Sequence, residues 1–286
     1  MTAMTREELR ARVLGRHDAV PDERLRTIIT KLIEHLFAFA SEVDLSPAEW
    51  AAGIRFLTEA GHITTDTRQE FVLLSDTLGL SMLVDLIGHA TGQGETESTV
   101  LGPFWVEGAP WRSAGEMIGR PEDGEPLHIT GVVRGVDGTP IAGAVLDTWQ
   151  AAANGCYDVQ DPNQPKGNLR GRFRTDQAGH YDIWTTRPVP YPIPDDGPVG
   201  RMLAALGRHP WRAPHVHFMV SAPGYQTVTT HIFDGDGEYL DSDTVFGVKP
   251  SLVRTLTRTE AVVPGRGDEP ISCYALEFDF TLAPAE

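Results

Sequence analysis

From Pro126 onward the chain reads as a run of short strands separated by turn signals. That pattern limits the possible folds more than any other feature. Leu127, Ile129, Gly131 and Val133 alternate with exposed partners, and Asp137-Gly138 marks a turn. The return strand is expected over Ala144 to Trp149. A second hairpin signal places Asp176-Gln-Ala-Gly179 between Arg172-Phe-Arg-Thr and Tyr181-Asp-Ile-Trp184. In a third, Ala222-Pro-Gly-Tyr225 separates Val216–Val220 from Thr227–Phe233. Alternating apolar residues from Tyr274 to Leu282 close the series. Short strands in this order predict an all-β sandwich over residues 126–286.

One of these strands carries chemistry. His215 and His217 are one residue apart beside the apolar run Val216 to Val220. Alternate strand residues share a face, so both imidazoles point the same way, as a chelating pair needs. Such a pair alone is more often packed or exposed than metal-bound. Two tyrosines lie upstream in unusual settings. Tyr191 sits between Pro190 and Pro192, which fix its backbone. Tyr157 follows Gly155-Cys156 at the expected end of a strand, where a side chain can reach into a cleft. Imidazole suits several transition metals. Phenolate is a hard anionic donor, and two of them favour Fe(III). Together the four side chains read as ligands of one ferric ion.

The first 98 residues have a different period and read as a helical domain. Ile28, Ile29, Leu32, Ile33, Leu36 and Phe37 recur at helical spacing. Ser46-Pro47-Ala48-Glu49 is a capping box with proline at the first helical position. That helix carries Trp50, Ile54 and Leu57 on one face. A third helical pattern runs from Asp66 through Phe71 to Leu86-Ile87, with Gly79 as its weak point. Thr91-Gly-Gln-Gly-Glu reads as a flexible break. Residues 99–125 have no periodicity and read as an ordered linker.

The formal charge of −16 argues against nucleic acid or an acidic membrane surface as partner. Two cysteines, Cys156 and Cys273, imply no disulfide framework. Met1 to Arg16 is charged and has no apolar core, unlike a secretion signal. No apolar stretch approaches the ~20 residues of a membrane span. A cytoplasmic protein is the expectation. Asp234-Gly-Asp-Gly-Glu238 lacks the ligand pattern of a calcium loop and reads as a turn.

Several segments carry a family resemblance. They are Glu97-Ser-Thr-Val-Leu-Gly-Pro-Phe-Trp105, Asp147-Thr-Trp-Gln150, Gly155-Cys-Tyr-Asp158, Gly171-Arg-Phe-Arg-Thr-Asp176 and Arg212-Ala-Pro-His-Val-His217. On these the chain resembles the intradiol ring-cleavage dioxygenases, non-haem Fe(III) enzymes that open catechols between their two hydroxyls. Within that family it looks most like the hydroxyquinol 1,2-dioxygenases, through Tyr191-Pro-Ile-Pro-Asp-Asp-Gly-Pro-Val199, Thr230-His-Ile-Phe233 and Tyr239-Leu-Asp-Ser-Asp-Thr-Val-Phe-Gly-Val-Lys249. His231 stands where many catechol 1,2-dioxygenases have glutamine. Arg-Ala-Pro-His replaces the family's usual Arg-Pro-Ala-His and keeps the Arg-to-His spacing.

The resemblance implies one iron per subunit, held by Tyr157, Tyr191, His215 and His217, with Tyr191 the ligand that can leave to take a substrate proton. Arg212 would be the cation above the substrate ring. Asp76 and His231 would face a hydroxyquinol, with Leu73, Leu101, Gly102, Pro103, Phe104, Ile193, Pro194 and Val245 as cavity wall. The implied reaction is cleavage of 1,2,4-trihydroxybenzene by O2 to 3-hydroxy-cis,cis-muconate or maleylacetate. The resemblance also implies a mainly β chain with an N-terminal helical dimerisation domain, a homodimer, and in some members a bound phospholipid. Catechol or chlorocatechol cleavage shares the same iron site. A non-catalytic β-sandwich binding protein is a further reading. A zinc hydrolase fits poorly, because zinc seldom takes paired tyrosines.

Overall fold

A computed structural model describes residues 3–16, 20–89, 94–120 and 123–285. The chain divides into two compact units, Met1–Glu59 and Ala60–Glu286. The first holds α1 (Arg6–Leu14), α2 (Glu23–Glu42) and most of α3 (Pro47–Ile63). The Asp22 carboxylate caps α2 by accepting from the Leu25 amide at 3.0 Å. The capping box at α3 forms as expected: the Ser46 amide donates to Glu49 Oε2 at 2.9 Å and the Glu49 amide to Ser46 Oγ at 3.3 Å. Leu25, Ile28, Leu32, Leu36 and Phe39 of α2 are exposed, as are Trp50, Ile54 and Leu57 of α3.

The second unit opens with α4 (Glu70–Thr77) and α5 (Leu80–Gly88). The single helical pattern expected from Asp66 is broken here. A turn over Thr65–Arg68 delays its start, with the Arg68 amide donating to Thr65 Oγ1 at 3.1 Å. Gly79 then takes φ 78°, which ends α4 and turns the chain by 77° into α5. Among the described residues, no single helix is long and apolar enough to cross a membrane. Thr91 to Gln93 of the expected break lie outside the described residues.

The strands are β1 (Pro126–Gly135), β2 (Val145–Trp149), β3 (Arg170–Arg174), β4 (His180–Thr186), β5 (Tyr191–Pro192), β6 (Trp211–Arg212), β7 (His215–Ser221), β8 (Val228–Asp234), β9 (Val253–Arg254), β10 (Thr257–Ala261), β11 (Ile271–Glu277) and β12 (Phe280–Leu282), with α6 (Pro198–Ala205) between β5 and β6. Ten of them form two five-stranded sheets, and β5 pairs with β6 in a separate two-stranded ladder. One runs β10-β11-β1-β12 with β4 on the other edge of β1, and the second runs β3-β2-β7-β8-β9. Leu127, Ile129 and Val133 of β1, Leu146 of β2 and Val216, Phe218 and Val220 of β7 share one core between them. Phe218 meets Phe280 across the layers at 5.1 Å between ring centroids. Burying side chains of this size supplies about 1.5–3 kcal/mol each before entropy is counted.

Three expectations change. Helix and strand occupy about 27% and 24% of the chain, so "mainly β" describes residues 126–286 and not the whole. The turn at Asp137-Gly138 exists, but β2 does not return onto β1. The chain closes a tight turn, with the Ile141 amide donating to the Val133 carbonyl at 2.8 Å, and crosses to the other sheet. Likewise β3 pairs with β2 while β4 pairs with β1, so the turn at Asp176 also joins two layers. Only the β7–β8 hairpin forms as read.

The last strand is also two strands. β11 and β12 both lie parallel to β1, at its two halves. Between them the Asp279 carboxylate accepts from the Val132 amide at 2.8 Å and replaces the ladder acceptor there. Gly131 is required opposite, because a Cβ would overlap the Phe278 carbonyl.

Candidate active site

Strand alternation builds the centre of the site. On β7, Val216 and Phe218 face the core, so His215 and His217 face away from it. Across the ladder His217 pairs with Trp149 of β2 and with His231 of β8, which places three rings in a row on one face. Trp149 stacks on His217 at 4.7 Å. The face is nevertheless buried, because the segments 99–105 and 150–169 fold over it. Phe104 stacks on Tyr157 at 4.6 Å, closing one side.

Tyr157 lies within that covering segment, well past the end of β2. The expectation that it follows a strand end is corrected accordingly. A turn brings it back: the Gly155 amide donates to the Ala152 carbonyl at 2.8 Å, with Gly155 at φ 79°. Tyr191 is placed by the two-residue ladder of β5 and β6, in which it faces Arg212. That ladder was not legible from two residues flanked by prolines.

The four oxygen and nitrogen atoms converge. Tyr157 Oη is 3.1 Å from Tyr191 Oη and 2.9 Å from His217 Nε2, and His217 Nε2 is 3.1 Å from His215 Nε2. The His215 Nδ1 proton is held by the Ala213 carbonyl at 2.6 Å, which leaves the Nε2 lone pair aimed at the cluster. Burial, then Arg212, pushes His215 well below the usual imidazole range. Burial, then His215 and Arg212, does the same to His217. Both rings are therefore neutral donors at pH 7. Burial, with Tyr191 adding to it and Arg212 opposing, pushes the Tyr157 phenol well above its usual range. Tyr157 can bind a metal as phenolate only by releasing a proton. Two neutral imidazole lone pairs and two phenols within hydrogen-bond range of one another fit one hard transition-metal ion.

His231 also belongs to this neighbourhood. With His215 and His217 it offers ligand atoms that all lie within 4.8 Å, and all three are buried. Its Nδ1 lies 3.5 Å from Arg212 Nη2, and its ring stacks on His215 at 4.5 Å. Arg212 is buried, with Nη1 at 3.3 Å from Tyr191 Oη and 3.2 Å from His215 Nε2. Burial opposes its charge, but Asp243, Tyr191 and Tyr157 more than compensate and raise its pKa further.

A cleft of about 450 Å³ opens beside this centre. It brings together Leu73, Pro103, Phe104, Ile193 and Pro194 among the expected wall residues, and adds Cys156 and Arg68. Gly102 takes φ 75°, a conformation that favours glycine, and a Cβ there would make an ordinary 3.5 Å contact with His217 Cε1. Val245 is buried, and Leu101 is 38% exposed and does not line the cleft. Asp76 is buried one turn beyond Leu73 on α4 but is not part of the cleft wall. Burial raises its carboxyl pKa, the Ser81 hydroxyl and then Arg212 lower it, and Asp243 adds to the rise. Sequence reasoning missed Asp243, whose acidic neighbours gave it no distinguishing signal.

Comparison with known proteins identifies the family. Residues 100–284 match the family described as Dioxygenase, and residues 22–96 match the family described as Catechol dioxygenase N terminus. The 6-chlorohydroxyquinol 1,2-dioxygenase of Cupriavidus pinatubonensis is 47% identical over 95% of both chains. The hydroxyquinol 1,2-dioxygenase of Nocardioides simplex is 47% identical over 98% of this chain and 96% of its own. The crystal structure of hydroxyquinol 1,2-dioxygenase from Pseudomonas putida superposes with a TM-score of 0.91 at 47% identity, covering 98% of this chain and 99% of that one. The chain belongs to the intradiol ring-cleavage dioxygenases.

Proposed function

We propose that the protein cleaves hydroxyquinol between its adjacent hydroxyls with O2, giving 3-hydroxy-cis,cis-muconate or its keto tautomer maleylacetate. Family membership implies non-haem iron. In our reading it is one Fe(III) per chain, held by Tyr157, Tyr191, His215 and His217. The observation that carries this is the convergence of those four donor atoms at 2.9–3.1 Å beside a buried guanidinium. Bound there, Fe(III) supplies the Lewis acid that binds the deprotonated diol and makes its ring reactive towards O2.

The protein's own groups do the rest. Tyr191 sits on a two-residue strand at the edge of the cleft and can accept a substrate proton at Oη. Arg212 Nη1 lies beside that oxygen and favours negative charge on oxygen and ring in a site drier than water. Phe104 and Ile193 hold the ring in plane. Gly102 leaves the space next to His217 free of a side chain. The two curated relatives above act, by name, on hydroxyquinol and on its 6-chloro derivative. Both substrates carry a third oxygen; in our reading its polar partner is Asp76, which is buried on α4 behind the cleft wall and within electrostatic reach of Arg212. Asp76→Ala should raise the KM for hydroxyquinol by about tenfold or more, as for a lost hydrogen bond to a charged group, and change the KM for catechol little. Steady-state kinetics on both diols check this, and equal losses would remove Asp76 from specificity.

The exposed apolar faces of α2 and α3 suit a homodimer, with room in our reading for a lipid between helices, in the cytoplasm. Sedimentation at the monomer mass would contradict the dimer.

The decisive experiment is a visible spectrum before and after anaerobic addition of hydroxyquinol and, separately, catechol. Tyrosinate on Fe(III) gives a red-brown band that shifts to longer wavelength as the diol binds. Oxygen uptake on admitting air then ranks the two diols, and faster turnover of catechol would make this a catechol 1,2-dioxygenase. A protein that stays colourless after iron reconstitution overturns the four-ligand assignment.

A further inference from the structure

The guanidinium of Arg212 is held from behind. A side chain with four rotatable bonds can turn its charge many ways, so the direction of Nη1 needs an explanation. Asp243 provides one. Its Oδ1 accepts from Arg212 Nε at 3.2 Å and its Oδ2 from Nη2 at 3.4 Å. That two-point contact occupies one edge of the planar group and leaves Nη1 facing Tyr191 Oη and His215 Nε2.

Asp243 is itself fixed. It is buried, and its Oδ2 also accepts from the Gly247 amide at 2.8 Å. The segment between them is tightly wound: the Phe246 amide donates to the Asp243 carbonyl at 2.9 Å, and Phe246 takes φ 59°, a conformation bulky residues rarely adopt. Arg208 clamps its outer side, donating to the Thr244 carbonyl at 2.7 Å with its guanidinium 4.9 Å from the Phe246 ring centroid. On the inner side, Thr99 Oγ1 donates to the Gly247 carbonyl at 3.2 Å. Gly247 has no positive φ, so its small size answers a different need. A Cβ there would lie 2.9 Å from Arg212 Nη2 and 3.2 Å from Asp243 Oδ2.

We propose that Asp243 and Gly247 form a positioning unit that orients Arg212, so that Nη1 points at the reacting site. This deepens the reading of Arg212 as the cation beside the substrate ring and rests on it. Asp243 supplies the two-point anchor. Gly247 supplies the space that lets guanidinium and carboxylate meet in plane. Neither touches substrate.

The test uses the iron-loaded, full-length chain carrying Asp243→Asn, Gly247→Ala or, as reference, Arg212→Gln. Steady-state kinetics on hydroxyquinol, iron content, and the 15N–1H signal of Arg212 Nε in the iron-free protein are the readouts. Gly247→Ala keeps both charges and displaces the guanidinium, so kcat should fall by about ten- to a hundredfold, with KM within about threefold and iron retained. Asp243→Asn should lower kcat by on the order of a hundredfold in the same pattern. The Arg212 Nε signal should shift in Gly247→Ala and exchange faster in Asp243→Asn. Both variants keeping kcat within about twofold, while Arg212→Gln has lost it, would overturn the proposal and leave the role of Arg212 standing. Retained kcat in Arg212→Gln would remove that role, and the proposal with it. A fall in kcat that tracks lost iron also overturns it. Should Asp243→Asn fail to fold, Gly247→Ala decides alone.

Discussion

Arg212→Gln should lower kcat for hydroxyquinol by on the order of a hundred- to a thousandfold and destabilise the fold by about 3–5 kcal/mol. The two losses have different origins. Turnover falls because a fixed cation beside Tyr191 Oη is gone, in a site where burial strengthens every charge interaction. Stability falls because Asp243 is left as a buried carboxylate with one amide donor in place of a guanidinium. Adding Asp243→Asn removes the stranded charge. The double variant should therefore regain most of the stability in urea unfolding while its turnover stays low. A single variant as stable as the parent would show that the pair is not desolvated as the structure has it.

The second large effect concerns the choice of donors. His217→Ala should leave the purified protein with little iron and no visible band. Changing groups around a ligand typically costs ten- to a hundredfold in metal affinity, and removing the ligand itself should exceed that. His231→Gln should retain iron and colour while altering diol binding. The contrast separates two ways of grouping the same buried side chains. Three histidines lie close enough to share an ion, but Tyr157 Oη reaches His217 Nε2 at 2.9 Å and Tyr191 Oη at 3.1 Å. Metal analysis and the visible spectrum of both variants decide it, and a His231→Gln protein without iron would favour the three-histidine set.

How far the sequence reaches can be judged from particular residues. His215 and His217 were legible because a strand has only two faces, and the apolar run through Val216 and Phe218 settles which one is core. The helix start at Ser46 was legible because capping is local chemistry. Strand partners were not. Asp137-Gly138 and Asp176–Gly179 announce turns, and turns form there, but a turn does not say whether the chain folds back on its own sheet or crosses to the next layer. Asp243 escaped for a similar reason. One aspartate among several in Tyr239-Leu-Asp-Ser-Asp-Thr is unremarkable until folding sets it against a guanidinium thirty-one residues earlier. Helix α6 was missed because Gly197-Pro198 looks like a loop, and its start is secured from far away by Glu70, which accepts from the Val199 amide.

The divided pairing of β1 has a consequence for the order of synthesis. Val132 reaches its partner Asp279 across 147 residues. At a ribosomal rate of about 5–20 residues per second, that separation is roughly 7–30 s of chain growth. β4 can cover one edge of β1 early, but the other edge waits for β11 and β12. Over that interval an apolar strand carrying Leu127, Ile129 and Val133 has one row of backbone groups open to any passing strand. Folding dominated by such distant contacts is slow. The sheet opposite the histidines therefore closes only after residue 282 has left the ribosome, which makes a competent catalytic centre a product of the finished chain.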